Sequence, residues 1–404
     1  MKLIADLHIH SKYSRGCSAQ LTLENIAKWC EYKGIGLIST GDFTHPAWLK
    51  EIKEKLEPLG NAFFQLKDKS SDVLFVLGAE ISCIYTQGGK CRKNHLCLLA
   101  PSLSAVDKLI AVLEKSGCNL RSDGRPIIGL SAKKLLEICL DIDRDFFIFP
   151  AHAWTPWFSI FGSRSGFDSL EECFEELKEN IFAIETGLSS DPLMNWRCSM
   201  LDNLILLSNS DAHSLQNLGR EANVFEVSKN FSYQELLKII KAKEKNKFLY
   251  TIEFFPEEGK YHLDGHSDCN YFCLPETSKK SNNLCPKCGK PLILGVLNRV
   301  DELSDRNKKE IKKDNFIPYK SIIPLQEIIA DYLTVGKNSK KVMSLYFSLV
   351  AKKNEFEILI DLDQKELEKI MERKLAKKIL KVRNNQVEIK PGFDGNFGKI
   401  MINK

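Results

Sequence analysis

The sequence Ala5-Asp6-Leu7-His8-Ile9-His10 places two histidines, one residue apart, at the end of the first apolar run of the chain. Side chains alternate faces along a strand, so His8 and His10 project from the same side and can grip one ion together. A core histidine needs only one partner, whereas repeated histidines and carboxylates at the edges of apolar runs indicate a multinuclear metal site. The further candidates are Asp42, His45, Glu80, His95, His152, Asp211 and His213.

Short β-like runs alternate with helical stretches over residues 1–250. The runs are rich in Ile, Val, Phe and Leu, as strands buried on both faces are. Seven runs predict an α/β barrel rather than an open sheet, with the reacting groups at the carboxyl ends of the strands. Most candidate ligands end their runs, but His95 starts one. The runs are 3–10, 36–43, 73–82, 95–100, 146–154, 181–187 and 204–213, with helical stretches that include 21–33, 131–139 and 169–179.

The composition changes beyond the predicted barrel. Residues 255–303 are rich in Gly, Asn, Ser, Cys and Pro, which predicts a small module held together by a metal. The remainder predicts helices over 325–333, 340–352 and 364–380, followed by a strand pair within 382–402. We therefore expect three units: a barrel over 1–250, a zinc-binding module over 255–303, and a basic, mainly helical C-terminal domain that binds DNA over 315–404.

The composition is that of an ordinary globular protein. Of 404 residues, 43% are hydrophobic and 27% are charged, and the net charge is +5. Apolar runs stay shorter than the roughly 18 residues that a membrane helix needs. Charged residues follow Met1 too soon for a signal peptide, and most of the 13 cysteines stand singly inside apolar runs. These features predict a cytoplasmic protein with reduced thiols and no membrane association.

Two cysteine pairs have the spacing of metal ligands. Cys269 and Cys273 form the first pair, and Cys285 and Cys288 form the second. Two such pairs around a flexible loop predict one structural zinc ion. His266 precedes the first pair and could replace Cys273 as the fourth ligand. Disulfide bonds are the alternative, which a reducing cytosol disfavours.

Two further segments suit a nucleic-acid partner. The segment 336–341 opens a predicted helix and carries Lys337, Lys340 and Lys341, a natural phosphate clamp whose alternative is a solvated helix start. The segment 153–164 is dense in aromatic residues beside His152. It would be either packed core or a wall on which a base turned out of the helix stacks. Its candidate substrate-binding residues are Trp154, Trp157, Phe158 and Arg164.

Successive motifs of the first 250 residues resemble those of the PHP (polymerase and histidinol phosphatase) family. They are Asp-Leu-His-Ile-His-Ser from Asp6, Gly-Asp-Phe-Thr-His from Gly41, the pair of Glu80 and His95, Pro-Ala-His ending at His152, and Ser-Asp-Ala-His ending at His213. The resemblance implies a distorted (β/α)7 barrel that binds up to three metal ions and hydrolyses phosphoesters.

The same resemblance implies how the ligands are shared. One ion would be held by His8, His10, Glu80 and Asp211. Glu80 would bridge to a second ion, held by His95 and His152, and a third would use His213 with the segment around Asp42 and His45. Thr40-Gly41-Asp42 stands where the family has Thr-Asp-His, and loop 14–17 lacks the family's acidic or histidine ligand. We therefore expect two or three divalent ions (Zn, Mn or Mg).

Catalytic roles follow from this picture. Glu80 would bridge the ions, Asp211 would lie beside the attacking water, and His213 would orient that water or protonate the leaving oxygen. Glu185 is expected to hydrogen-bond a ligand histidine rather than bind an ion.

Segment 153–164 and three further segments resemble the endonuclease Q family over nearly the whole chain. The further segments are Glu-Thr-Gly-Leu-Ser-Ser-Asp-Pro at 185–192, His-Leu-Asp-Gly-His at 262–266 and Pro-Gly-Phe-Asp-Gly at 391–395. The resemblance implies a DNA repair enzyme that nicks damaged DNA, duplex or single strand, on the 5′ side of hypoxanthine, uracil, xanthine or an abasic site. Such a cut leaves a 3′-hydroxyl and a 5′-phosphate.

Two other functions remain open at this point. A small-molecule phosphatase of the histidinol-phosphatase kind could use the same barrel, although a free phosphoester requires neither a zinc module nor a lysine-rich domain. A lesion-binding scaffold could use the metals only to brace its fold. Replacing Asp211 by Asn would separate the scaffold from an enzyme.

Overall fold

The computed structural model describes residues 1–402. Its strands are β1 (Lys2–Asp6), β2 (Leu37–Ser39), β3 (Leu56–Pro58), β4 (Phe64–Leu66), β5 (Leu74–Gln87), β6 (Lys90–Ala100), β7 (Ile127–Ile128), β8 (Phe147–Pro150), β9 (Ala183–Glu185), β10 (Ile205–Leu207), β11 (Ala222–Glu226), β12 (Phe248–Glu253), β13 (Asp264–His266), β14 (Tyr271–Cys273), β15 (Tyr319–Ser321), β16 (Glu388–Lys390) and β17 (Lys399–Met401).

The α-helices lie between and after these strands. They are α1 (Leu23–Lys33), α2 (Pro46–Lys55), α3 (Leu103–Lys115), α4 (Ala132–Ile142), α5 (Leu170–Phe174), α6 (Pro192–Asn195), α7 (Tyr233–Lys241), α8 (Pro275–Lys280), α9 (Val296–Leu303), α10 (Leu325–Leu333), α11 (Lys340–Val350), α12 (Gln364–Ile370) and α13 (Arg373–Arg383).

The predicted mixed α/β fold is confirmed, and each of the seven predicted runs contains a strand. The main sheet runs in the order β12, β11, β1, β2, β5, β6, β8. Two hydrogen bonds join the separate β9–β10 pair to both ends of this order, from Ala153 N, just after β8, to Glu185 O (2.9 Å) and from Ser208 Oγ to Ile252 O of β12 (2.7 Å). The strands therefore close into a barrel.

The barrel interior is filled by apolar side chains. Alternate residues of the barrel strands, such as Leu3, Val76 and Phe149, belong to one buried cluster. Since alternate residues of a strand point to one face, this cluster lies inside the barrel. Tyr233 and Ile240 of α7 join it, so this helix packs against the same interior.

Two features of the barrel depart from a regular alternation of parallel strands. Strands β11 and β12 lie outside the predicted runs, and β11 is antiparallel to both β1 and β12. Strand β6 is antiparallel to β5 and forms a long hairpin with it. Because β6 runs in the opposite direction, its beginning lies at the same end of the barrel as the carboxyl end of β5. This explains why His95 starts its run and still reaches the site.

The region that follows the barrel is mainly helical from α10 onward, as expected. The single helix predicted over 364–380 is wrong in one detail, because α12 ends at Ile370 and α13 starts after the capping residue Glu372. A buried ion pair between Lys33 Nζ and Glu355 Oε2 (2.8 Å) fixes this region against α1. Tyr346 donates a hydrogen bond to the same carboxylate and stacks on Trp29.

Among the described residues, none of the helices has the length and apolar character that crossing a bilayer requires.

Candidate metal centre

The segments after β1 and β10 lie side by side. A backbone bridge joins Ile9 to Ala212, flanked by hydrogen bonds from His10 N to Ala212 O (3.2 Å) and from Asp211 N to His8 O (2.9 Å). Side chains that are far apart in the sequence, such as those of His8 and Asp211, therefore meet at one end of the barrel.

The first ligand group contains His8, His10, Glu80 and Asp211. One ligand atom from each lies within 4.8 Å of the others. His10 Nε2 is 3.1 Å from Asp211 Oδ1 and 3.3 Å from Glu80 Oε2, and His8 Nε2 is 3.7 Å from the same Glu80 oxygen. Imidazole nitrogens and carboxylate oxygens that converge in this way form a donor set for a divalent metal.

The second ligand group contains Glu80, His95 and His152. The other oxygen of Glu80, Oε1, lies 2.7 Å from His95 Nδ1 and 3.1 Å from His152 Nε2. The register of the hairpin places His95 opposite Ser82, beside Glu80, and His152 follows the end of β8. Each carboxylate oxygen of Glu80 thus faces a different group, which is the arrangement that a residue bridging two ions needs.

Unpartnered atoms test whether these residues fit a metal. Among the side chains of residues 1–402, His8 Nε2, His10 Nε2 and Asp211 Oδ1 are buried without a hydrogen-bond partner. The outer nitrogens are held, since His8 Nδ1 donates to Glu185 (3.0 Å) and His10 Nδ1 donates to Asp42 (3.1 Å). The inner nitrogens therefore have no hydrogen-bond partner, and leaving them buried in that state is costly unless a cation binds.

Glu185 has the supporting role that the sequence predicts. Besides His8, its carboxylate accepts hydrogen bonds from Asn209 Nδ2 (2.9 Å) and from the backbone N–H of His152 (2.8 Å). It therefore ties a residue of the first group to a residue of the second and fixes the tautomer of His8.

The electrostatics of the centre favour the protonation states that ligands need at Glu80 and His95. Burial alone would raise the pKa of Glu80, but His95, Arg125 and His8 outweigh it and hold this pKa well below its usual value. Burial lowers the pKa of His95 to about 4. Glu80 is therefore ionised and His95 neutral near pH 7, as metal ligation requires. At His8 and His10, burial would lower the pKa, but neighbouring acidic groups outweigh it and raise the pKa well above its usual value, so a metal ion has to displace a proton from each of these rings.

Asp42 lies outside both ligand groups, which differs from the sequence expectation. Its Oδ2 accepts hydrogen bonds from Ser11 N (2.6 Å), Ser11 Oγ (2.6 Å) and Ser14 Oγ (2.9 Å), while its Oδ1 faces His10. These donors occupy the lone pairs that an ion would use. Asp42 therefore orients His10 and does not reach the cluster of inner ligand atoms.

His213 and His45 also lie outside the two groups. The ring of His213 packs 4.7 Å from that of His10, its Nδ1 donates to the backbone oxygen of Asp211 (2.8 Å), and 33% of its side chain is exposed. His45 stacks on Tyr13 at 4.6 Å, and its buried Nδ1 has no hydrogen-bond partner among the described residues. Of the residues expected around a third ion, Asp42 and His213 are thus engaged with protein groups, and His213 stands at the rim of the centre.

Arg125 enters the centre although sequence reasoning missed it. Its Nη1 donates to Glu80 Oε2 at 3.1 Å. The available signal was the turn sequence Asp123-Gly124-Arg125-Pro126 just before β7. A search for metal ligands passes over such a turn because arginine does not bind metal ions.

The aromatic loop divides into a core residue and outward-facing residues. Trp154 is 1% exposed, donates from Nε1 to Asn195 Oδ1 (2.7 Å) and packs on Phe161, so it belongs to the core and not to a substrate wall. Trp157 is 37% exposed and meets Tyr261 edge-on. The ring of Phe158 lies 4.9 Å from His95, and Arg164 is exposed. Phe158 therefore stands beside the second ligand group, while Trp157 and Arg164 are exposed in the same loop.

The cysteine module brings together His266, Cys269, Cys285 and Cys288, each of which offers a ligand atom. This is the alternative in which His266 replaces Cys273. The hairpin register explains it, because His266 pairs with Tyr271 next to the turn that carries Cys269, while Cys273 pairs with Asp264 two residues further along. Three cysteines and one histidine form a donor set typical of structural zinc.

The three lysines of the predicted phosphate clamp surround the start of α11. Ser339 caps this helix by accepting a hydrogen bond from Val342 N. Lys340 and Lys341 are exposed in its first turn, whereas Lys337 lies in the preceding loop and pairs with Glu327 at 2.9 Å.

Comparison with known proteins covers the whole chain. The crystal structure of the lesion-specific endonuclease PfuEndoQ from Pyrococcus furiosus is similar, with a TM-score of 0.88 and 35% identity over 100% of this chain and 96% of that one. The structure of endonuclease Q with a 27-mer duplex substrate carrying an abasic lesion at the active site gives a TM-score of 0.87 and 34% identity, covering 100% of this chain and 97% of that one.

A family model and a curated relative match parts of the chain. The family model of the MJ0043 C-terminal domain matches residues 324–386. The uncharacterised protein MJ0043 of Methanocaldococcus jannaschii is 40% identical over 256 residues. That match covers 62% of this chain and 31% of the relative, so this chain spans less than a third of the length of that protein.

Proposed function

This chain belongs to the endonuclease Q family, and on that basis we propose that it is a metal-dependent DNA repair endonuclease. Its substrate would be a DNA strand that carries hypoxanthine, uracil, xanthine or an abasic site, cut at the phosphodiester on the 5′ side of the lesion. The products would be a 3′-hydroxyl and a 5′-phosphate. The similar enzyme that was crystallised with an abasic duplex supports an abasic substrate most directly.

The observation that carries the proposal is the position of Glu80 between two ligand groups, the first of which contains two buried ring nitrogens, His8 Nε2 and His10 Nε2, without hydrogen-bond partners. Divalent ions (Zn, Mn or Mg), when bound there, supply Lewis acidity that activates water and neutralises charge on the phosphate. His8, His10 and Asp211 would hold one ion, and His95 and His152 the other. A single structural zinc would occupy the cysteine module.

The reaction that we propose is a hydrolysis at phosphorus. A water oxygen forms a bond to phosphorus, the bond from phosphorus to the 3′ oxygen breaks, and one proton of the water ends on that oxygen while the other leaves to solvent. Asp211 stands beside the position of the attacking water. His213, at the rim, would orient this water or protonate the leaving oxygen.

Surfaces outside the centre would hold the DNA. Trp157 and Phe158 offer rings on which an unstacked base could rest, and Arg164 would contact the backbone nearby. Lys337, Lys340 and Lys341 would contact phosphates further away. In this proposal, residues 1–250 catalyse the cleavage, residues 255–303 form the zinc module, and residues 315–404 bind DNA.

The test is cleavage of labelled duplexes that carry uracil, hypoxanthine or an abasic site, with Mg or Mn supplied and the cut mapped to the nucleotide. We expect one nick on the 5′ side of the lesion and an intact undamaged duplex. Histidinol phosphate serves as the competing substrate. Rapid turnover of histidinol phosphate with every damaged duplex intact would overturn the proposal in favour of a small-molecule phosphatase.

A further inference from the structure

The loop that carries Arg125 is held firmly against the metal centre. The backbone N–H groups of Arg15 and Arg125 both donate to Asp123 Oδ1, at 3.2 and 3.1 Å. Gly124 N donates to Tyr13 O (3.0 Å), and Pro126 O accepts from Ser82 N (3.0 Å). Three contacts to neighbouring segments and one hydrogen bond within the loop thus fix the backbone on both sides of Arg125.

Gly124 permits the close approach of this loop. A Cβ atom at Gly124 would lie 2.4 Å from both Asp42 Oδ2 and Ser14 Oγ. Any larger residue would push the loop away from the segment that orients His10. The guanidinium of Arg125 therefore lies at the centre because the backbone at Gly124 packs closely there. Its position does not depend on a long side chain extending from a surface loop.

The guanidinium of Arg125 is only partly used by the protein. Within residues 1–402 its side chain makes one hydrogen bond, from Nη1 to Glu80 Oε2, and 24% of the side chain stays exposed. Its remaining N–H groups make no hydrogen bond with the described residues. A guanidinium presents paired donors in a plane that matches two phosphate oxygens, so an arginine in this position is suited to a phosphodiester.

The same position is unfavourable for a third metal ion. Both oxygens of Asp42 are engaged with Ser11, Ser14 and His10, and loop 14–17 offers no carboxylate. A fixed positive charge next to Glu80 would also repel a further cation. The centre therefore offers ligand groups for two ions and a guanidinium in contact with Glu80.

We propose that Arg125 is a catalytic residue that binds a non-bridging oxygen of the scissile phosphodiester. Its guanidinium would be the third cationic group of the centre, beside two divalent metal ions. This proposal rests on the proposed function, because it requires a phosphodiester substrate. Stabilisation of the charge that develops on the phosphate is the expected effect, and the loss of one such donor costs about 100- to 1,000-fold in rate.

The experiment compares wild type with Arg125→Ala and Arg125→Lys, and uses Arg121→Ala as a matched control on an exposed position of the same loop. Three quantities are measured: single-turnover cleavage of an abasic duplex, affinity for that duplex, and catalytic metal ions bound per chain by elemental analysis. We expect Arg125→Ala to cut about 100-fold more slowly, with DNA affinity and two bound ions retained. Added guanidinium should raise the cleavage rate of Arg125→Ala at least tenfold. Arg121→Ala should have the cleavage rate, DNA affinity and metal content of wild type.

Several results would overturn the proposal. A third catalytic ion in the wild type would remove the role of the guanidinium as its substitute. A wild-type rate in Arg125→Ala would show that the phosphate does not need it. Loss of bound metal in proportion to the loss of rate would make Arg125 a positioning residue for Glu80. A wild-type protein that cuts none of the damaged duplexes would instead refute the proposed function, and this proposal with it.

Discussion

Metal-ligand side chains gather in two places in this chain, the barrel centre and the cysteine module, and the two are supported differently. The ligands of the barrel centre come from strand ends between His8 and Asp211, and hydrogen bonds to Glu185 and Asp42 hold their outer nitrogens. The module draws its four ligands from residues 266–288, with Cys288 exposed. The ligands of the barrel centre are therefore held by the strands of the barrel, whereas those of the module lie on one short hairpin, its connecting turn and a following cysteine turn that are close in the sequence.

The difference in support predicts different roles for the two kinds of metal ion. A site that packing and hydrogen bonds already hold can use its ions for chemistry, because their loss leaves the protein folded. A site built on a short hairpin and a turn uses the binding free energy of its ion to fold. Removing a ligand should therefore stop the reaction when the ligand belongs to the barrel centre, and unfold a segment when it belongs to the cysteine module.

The largest effect is expected from Asp211→Asn in the barrel centre. The amide cannot carry the negative charge of the ligand, so we expect cleavage of an abasic duplex to fall at least ~1,000-fold. DNA affinity and the melting temperature should stay near those of wild type. Single-turnover cleavage and a binding titration measure these quantities, and an unchanged cutting rate would support the non-enzymatic scaffold.

Asp42→Asn is the matched comparison for that variant. The amide can still accept hydrogen bonds from Ser11 and Ser14, but it holds His10 less firmly. We expect the affinity for the catalytic metal to fall about 10- to 100-fold, as for other groups that orient a ligand. Excess metal should restore cutting. If it restores nothing, Asp42 is a ligand itself, as the sequence suggested.

The module should respond to Cys285→Ser by losing its zinc and unfolding locally. We expect zinc content after dialysis to fall by one ion per chain and residues 266–288 to become sensitive to protease, while the barrel stays folded. Cys273→Ser is the control, since Cys273 lies outside the ligand group. Loss of zinc from Cys273→Ser with retention in His266→Ala would reverse the assignment of the fourth ligand.

Much of the barrel centre could be predicted because its ligands obey simple rules of strand geometry. His8 and His10 share a face by alternation, and Asp211 ends a run that lies beside theirs. His95 broke the rule that ligands end strands, and the antiparallel direction of β6 explains the exception. Strand direction depends on how a hairpin folds back, which the composition of a run does not specify.

The residue roles that the sequence did not predict have a common physical cause. Each role depends on a partner that is distant in the sequence. Asp42 is a hydrogen-bond acceptor because the turn after His10 brings Ser11 and Ser14 to it. Trp154 is core because Asn195 accepts its N–H. Arg125 acts at Glu80 because a glycine lets its loop approach. In each case the residue type allows several roles, and packing selects one.

The two tryptophans of the aromatic loop test this distinction between core and surface. Trp154→Ala should lower the free energy of unfolding by about 3 kcal/mol, because it empties a buried site. Trp157→Ala should leave stability unchanged and reduce cleavage at a lesion about tenfold, if a base stacks there. Thermal melts and cleavage assays separate the two. Equal loss of stability in both variants would mean that Trp157 is also a core residue.

The smallest effects are expected from the lysines around α11, which we propose bind phosphate without any metal. Replacing both Lys340 and Lys341 by Ala should weaken DNA binding several-fold and lower the salt slope by about two phosphate contacts, with the cutting rate of bound DNA unchanged. Lys337→Ala should matter less, since its ammonium already pairs with Glu327. Lys108→Ala on the exposed surface of α3 is the control. A salt response identical to that of wild type would mean that DNA does not follow this helix, and the division between a reacting barrel and a binding C-terminal region would fail there.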